Sequence, residues 1–211
     1  MLPERANPVA GVVLAAGPST RMGENKLLLR LDGETVLGRA VRRALTAGLD
    51  PVLVVLGHEA ERARGELDGL PCLPVFNPDY ARGLNASARA GIAAVPAEAC
   101  AAVVLLADMP LVTDRMISTL VERYRESQAP LVISEYGAVQ APPTLYDRSL
   151  FAELGAAEGE GCGKRVIRRH RGEAAVVRWP SAALTDLDRP EDYERIKAEL
   201  EAGKTQWAET S

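Results

Sequence analysis

At 211 residues and a net charge of −4, the chain is long enough to bury a core without disulfide or metal staples, and too acidic for a general nucleic-acid or anionic-membrane binder. Aromatic residues make up only 4%, so the core must be aliphatic and a stacking platform for single-stranded nucleic acid is disfavoured. Cys72, Cys100 and Cys162 are too far apart for a metal spacing or a disulfide framework and suit a reducing cytoplasm, while no apolar run reaches the roughly 18 residues of a membrane span.

Residues 1–8 lack the apolar core of a secretion signal and read as a tail. Beyond them, short aliphatic runs alternate with amphipathic segments. Residues 9–15 (VAGVVLA) predict a buried strand. Residues 35–48 predict a helix, with Thr35 as N-cap, Val36, Leu37, Ala40, Val41, Ala44 and Leu45 on one face, and Gly48 as its stop. A second buried strand follows at 51–56, then a polar surface helix at 59–67, a short strand at 72–76 and a small-residue helix at 85–95. Residues 102–107 (AVVLLA) predict a central strand that stops at Asp108, and 113–127 a helix capped by Thr113. The second half predicts short strands at 131–134, 144–146, 174–179 and 183–187 and helical stretches at 148–154 and 164–170. A terminal helix follows over 190–202, with proline in its first turn.

This alternation implies an α/β fold with a largely parallel sheet and right-handed crossovers. Ligands of such sheets bind beyond the carboxyl ends of the strands. The turn after Ala15 and the turn at Asp108 are therefore the candidate sites.

Residues 14–26 (LAAGPSTRMGENK) begin where the first strand ends. Ala15, Ala16 and Gly17 have almost no side chain, so backbone N–H groups there can approach a polyanion closely. Arg21 offers a planar fork to phosphate oxygens and Lys26 a compact charge. Together they suit a nucleoside triphosphate. Neither GxxxxGK[ST] nor GxGxxG spacing is present, which sets aside a Walker loop and a Rossmann dehydrogenase. A glycine turn followed by solvated basic residues satisfies the same spacing.

The segment resembles the LAAGxxxRMGxxK signature of the nucleotidyltransferases that make molybdopterin dinucleotide cofactors, and more broadly the sugar-phosphate and isoprenoid-precursor nucleotidyltransferases. The likeness continues through Asn77, the stretch from Gly83 to Ser87, LLADMP and DLDRPED, and it is nearest to the molybdenum cofactor cytidylyltransferase branch. It implies a three-layer α/β/α, Rossmann-like nucleotidyltransferase fold, mostly parallel, with an antiparallel strand in the acceptor half. One domain would cover 1–211, with a nucleotide-binding half (9–110), an acceptor-binding half (111–203) and a tail (204–211).

Asp108, ending the central strand before Met109-Pro110, stands at the mouth of the sheet. Mg²⁺ takes hard oxygen ligands and one or two protein carboxylates, and the matching aspartate of the family is the metal ligand; a turn or capping role is the bland reading. In Asp186-Leu187-Asp188-Arg189-Pro190, strand alternation would put both aspartates on one side. The family usually reads D-[IVL]-D-T-P-E-D here. Asp188 matches the position that completes the metal site, Asp186 is the fallback, and Arg189 replaces the usual threonine beside the acceptor. If the carboxylates converge without metal, their repulsion would raise the apparent pKa of the pair. Asp192 serves the helix dipole.

The chemistry implied is in-line attack of an acceptor phosphate oxygen on the α-phosphorus, with pyrophosphate leaving. Lys26, Arg21 and Asp108 are the catalytic candidates, and Mg²⁺ is the cofactor. An anionic acceptor needs no general base, in keeping with only two histidines, His58 and His170. The resemblance places the base against Leu14, Ala15, Ala16 and Gly17 and near Gly83–Ser87, with Ser19 and Asn77 also in the nucleotide set. Asn85 and Ser87 serve either base or ribose recognition or helix capping. Ala16 matches the cytidylyl branch, where the guanylyl branch has LAGG, so CTP is the expected donor. Molybdopterin is the expected acceptor, with a molybdoenzyme or its chaperone as a further partner.

On the acceptor side the family shows a GDxGAR element; this chain has Gly163 and Arg165 in place, with the aspartate lost or shifted to Glu160. A His-Pro pair of the family is replaced by Ala141-Pro142-Pro143. A nucleotidyltransferase acting on another small phosphate such as a sugar phosphate, and a non-catalytic nucleotide-binding accessory of molybdoenzyme maturation, are the competing readings.

Overall fold

The first strand, β1 (Val9–Ala15), is apolar at every position because both of its faces are covered. Val9, Val13 and Ala15 join one core cluster, and Ala10, Val12 and Leu14 the other. The structure, a computed structural model, describes residues 7–156, 162–203, 207 and 209.

After β1 come a two-residue hairpin, β2 (Arg30–Leu31) and β3 (Glu34–Thr35), then α1 (Val36–Thr46), β4 (Val52–Leu56), α2 (Ala60–Gly65), β5 (Leu73–Phe76), α3 (Leu84–Ala93) and β6 (Ala101–Leu106). The second half adds α4 (Asp114–Ser127), β7 (Leu131–Tyr136), β8 (Val139–Asp147), α5 (Phe151–Ala156), α6 (Cys162–Arg169), β9 (Ala175–Trp179) and α7 (Pro190–Glu201). The main sheet has seven strands in the order β5-β4-β1-β6-β8-β7-β9. All but β8 run the same way; β8 pairs antiparallel with both β6 and β7. One face is covered by α1, α2, α4 and α7, the other by α3, α5 and α6. This is the expected three-layer α/β/α architecture, mostly parallel with an antiparallel strand in the second half.

The caps read from sequence are present. Thr35 Oγ1 accepts from the Gly38 N–H at 3.1 Å, and Thr113 Oγ1 from the Met116 N–H at 3.2 Å. Two elements differ from the sequence reading. The expected strand at 183–187 is absent: a 3-10 turn (Ser181–Ala183) leads into irregular backbone. The reason lies in where its amides go, since the Leu187 N–H donates to the Asp108 carbonyl at 2.9 Å instead of to a ladder. The hairpin β2–β3 was not anticipated, although Asp32-Gly33 is an Asp-Gly turn pair with φ of 50° and 80°, the strongest short-range hairpin signal. Among the described residues, no helix is long and apolar enough to cross a membrane.

Candidate active site

The carboxyl ends of β1, β4 and β6 form one edge of the sheet, and residues 16–26 fold across it. Ser19 turns the loop in a left-handed conformation (φ 50°). Its Oγ accepts from the Lys26 N–H at 3.2 Å, while Asn25 Oδ1 accepts from the Leu27 N–H at 3.1 Å. These two contacts close the loop so that Lys26 points back over its start. From behind, the His58 N–H donates to the Ala16 carbonyl at 3.2 Å. Gly57 permits that approach: a Cβ there would lie 2.5 Å from Tyr80 Cβ and 2.8 Å from Ala16 Cβ.

The loop roofs a cleft of about 310 Å³. Leu14, Ala15, Ala16, Gly17, Ser19, Arg21 and Lys26 line it from the β1 side, Gly83 and Ser87 from the start of α3, and Asp108 and Asp188 from the mouth. Asn77 stands one layer back. It is buried, and its Nδ2 donates to Ser87 Oγ at 3.1 Å. Tyr80 and Leu84 also line the cleft, and Leu84 is 57% exposed despite its size. Neither was singled out from sequence. The signal available was a large apolar residue directly after Gly83, whose φ of 99° marks a break before α3.

At the mouth, Lys26 Nζ donates to Asp108 Oδ2 at 2.6 Å and to Asp188 Oδ1 at 2.9 Å. Arg21 donates to the other oxygen of Asp188. The Lys26 side chain is 12% exposed, that of Arg21 65%. Burial alone would lower the Lys26 ammonium, but the Asp108 charge and the hydrogen bonds to both aspartates outweigh it, and its pKa is raised. The hydrogen bond from Lys26, with help from the Arg21 charge, holds the Asp188 carboxyl below the usual carboxylate range. The expected upward push on converging carboxylates therefore does not fall on Asp188, because two cations neutralise it. It falls on Asp186, which loss of hydration and then the charges of Asp108 and Asp188 raise.

The acceptor candidates lie apart from this cleft's lining. Gly163 sits in the first turn of α6, where a Cβ would be 3.0 Å from Tyr146 Oη. Arg165 is exposed on the same helix. Arg189 is exposed before α7, its N–H held by Asp192 Oδ2 at 2.9 Å; Asp192, read from sequence as serving the helix dipole, closes a capping box at the start of α7. Glu160 lies outside the described residues. Among the two histidines, His58 packs its ring 6.2 Å from that of Tyr80, and His170 Nε2 is 2.9 Å from Glu153 Oε2.

A doubly covered α/β sheet with a small-residue loop, two cations and two carboxylates at its strand ends belongs to the nucleotide-handling class. Residues 11–175 match the MobA-like NTP transferase domain, and the chain belongs to that family of nucleotidyltransferases. It is 32% identical over 207 residues to the purine catabolism protein PucB of Bacillus subtilis (strain 168), spanning 92% of this chain and 98% of that protein. A shorter likeness, 36% identity over 124 residues, is to the bifunctional protein GlmU of Rubrobacter xylanophilus, covering 58% of this chain and 26% of that longer protein. The fold is similar to the crystal structure of Rv0371c from Mycobacterium tuberculosis H37Rv, with a TM-score of 0.81 at 27% identity, over 92% of this chain and 99% of that one. A complex of the same protein with manganese gives 0.74 at 26% identity, over 90% and 98%. These relatives support the broad family without singling out the cytidylyl branch.

Proposed function

We propose that the protein transfers CMP from CTP to the phosphate of molybdopterin, releasing pyrophosphate, in a Mg²⁺-dependent reaction. The observation that carries this reading is Lys26 bridging Asp108 and Asp188 at 2.6 and 2.9 Å at the mouth of the loop-roofed cleft. Asp108 and Asp188 fit a small hard cation, since both present carboxylate oxygens to one shared position and Mg²⁺ draws its remaining ligands from phosphates and water. Held there, Mg²⁺ would supply Lewis-acid charge neutralisation and a template for the triphosphate oxygens. The manganese bound by the mycobacterial relative supports a divalent ion at this fold.

The chain's own residues supply positioning and electrostatics. Backbone N–H groups of Ala16, Gly17 and Ser19 would face the triphosphate, Pro18 having none, and Arg21 and Lys26 would offset charge on the α-phosphate and leaving group. Ser87, oriented by Asn77, meets the base or ribose from the floor. The Ala16 methyl narrows the base side and favours a pyrimidine. Gly163, Arg165 and Arg189 would receive the acceptor, with residues 9–110 serving the nucleotide and 111–203 the acceptor. A different phosphorylated acceptor, such as a sugar phosphate, is favoured by one observation: the chain's departures from the family pattern lie on that side, at Ala141-Pro142-Pro143, before Gly163 and at Arg189.

The test is pyrophosphate release with each NTP, Mg²⁺ and molybdopterin, followed by a panel of sugar phosphates. Release with CTP and molybdopterin is the expected result. Release only with another acceptor reassigns the substrate, and tight nucleotide binding with no release from any pair leaves an accessory protein. In a thermal-shift series with Mg²⁺, CTP should protect more than GTP, and Ala16→Gly should narrow the gap; equal or better protection of the wild type by GTP refutes the pyrimidine preference.

A further inference from the structure

The turn that presents Asp108 is irregular backbone, and its carbonyls are held from three distant parts of the chain. Asp108 O accepts from the Leu187 N–H at 2.9 Å. Pro110 O accepts from Arg39 Nε–H at 3.2 Å. Leu111 O accepts from the Trp207 indole N–H at 3.1 Å. The first contact joins the turn to the segment of Asp188, so the two carboxylates share a frame. The second comes from a residue whose position is otherwise hard to justify.

Arg39 lies on α1 and is 7% exposed. Among the described residues its one ion pair is NH1 to Asp32 Oδ2 at 3.8 Å, long for a charge-assisted bond. One turn on, Arg43 is engaged with Asp114 at 3.0 Å and adds a like charge. Burial, and then Arg43, push the Arg39 guanidinium down from its ordinary value. Burying a cation so weakly paired is costly, and an apolar side chain on α1 would fill the same space at less cost. What an apolar residue cannot do is donate to Pro110.

We propose that Arg39 is a positioning residue: through the Pro110 carbonyl it sets the turn that aims Asp108 at Lys26 and Asp188, and so sets the affinity of the nucleotide-loaded site for its divalent cation. The proposal rests on reading Asp108 and Asp188 as metal ligands. It predicts a defect felt first in metal binding, because neither Arg39 nor Pro110 lines the nucleotide cleft.

The experiment measures Mn²⁺ binding by electron paramagnetic resonance with a saturating non-hydrolysable CTP analogue, beside metal-free binding of the analogue, urea unfolding and steady-state kinetics. Arg39→Met keeps the stem and removes donor and charge. It should bind the analogue without metal as the wild type does, yet lose about tenfold in Mn²⁺ affinity, the scale of a lost contact behind a metal ligand. Half-saturation by Mg²⁺ should rise in proportion while KM for CTP at saturating Mg²⁺ stays put. Arg39→Gln, which restores a neutral donor, should recover part of the loss; should Arg39→Met not fold, Arg39→Gln and Arg39→Lys carry the same comparison. Unchanged Mn²⁺ affinity in these variants, with or without lost stability, overturns the role of Arg39. A wild-type protein that binds the analogue but no Mn²⁺ overturns the metal reading, and this inference with it.

Discussion

Lys26 occupies the point where two carboxylates and a phosphate-binding loop meet, and its removal has consequences of two kinds. Lys26→Ala should lower turnover by about 10²–10³ through loss of a contact to the developing charge, with folding retained, as read by pyrophosphate release beside urea unfolding. Near-wild-type release would remove Lys26 from the chemistry. Asp108→Asn should abolish turnover and spare some metal-free nucleotide binding, because Arg21, Lys26 and the loop amides remain; turnover at the wild-type rate would refute the metal role. The pH dependence follows from Asp188. Its pKa is depressed in the folded protein, so the ion pairs with Lys26 and Arg21 contribute stability above its ordinary value of 3.8 and lose it as pH falls through the depressed value. The stability difference between wild type and Asp188→Asn should therefore be constant near neutrality and close below that range; a difference that closes instead as pH rises above neutral contradicts the assignment. Arg21, Lys26 and Asp108 were legible in the sequence because a run of thirteen residues and a strand end announce them locally. Tyr80 and Leu84 were not, since their place in the cleft depends on how α3 and the segment before it pack. Asp186 and Asp188 were singled out from an alternation that does not exist, as the backbone there is not a strand; of the two, Asp188 lines the cleft.

Helix α3 is made of small residues because it lies close on the sheet. A Cβ on Gly91 would press into Val12 Cγ1 and stand 2.9 Å from Val55 Cγ2, both on strands with neighbours on each side. Alanine is the better helix former by about 1 kcal/mol, but overpacking against fixed strands costs about 1–3 kcal/mol. Gly91→Ala should thus lower the urea midpoint and tilt the start of α3, weakening nucleotide binding as Ser87 and Leu84 shift; a raised midpoint would show that α3 can retreat without strain. Elements whose two faces are both buried, such as β1 and β4, were plain as continuous aliphatic runs. The segment 183–187 (ALTDL) misled, because the Leu187 amide answers to the Asp108 carbonyl, a partner some eighty residues earlier that no local pattern reveals.

At the scale of the molecule, alternation of strand and helix made the α/β class legible, while the strand order did not follow from any periodicity. Inserting antiparallel β8 between β6 and β7 requires pairings such as Val104 with Thr144 and Ile133 with Thr144, which only long-range packing selects. The same long reach marks the candidate site. The bond from Lys26 to Asp188 joins residues 162 positions apart, so the carboxylate pair closes only after nearly the whole chain has found its place. Occupancy is therefore a report on global folding. Nucleotide with metal at one hundred times its Kd should stabilise the protein by about 2.7 kcal/mol, and the whole unfolding transition should move as one, with no early-melting C-terminal portion. During synthesis the loop of residues 14–26 leaves the ribosome well before Asp188, the second of its two acidic partners. A ribosome-bound chain stalled short of residue 188 would hold nucleotide without full metal coupling, and the onset of that coupling would time the arrival of Asp188 at the site.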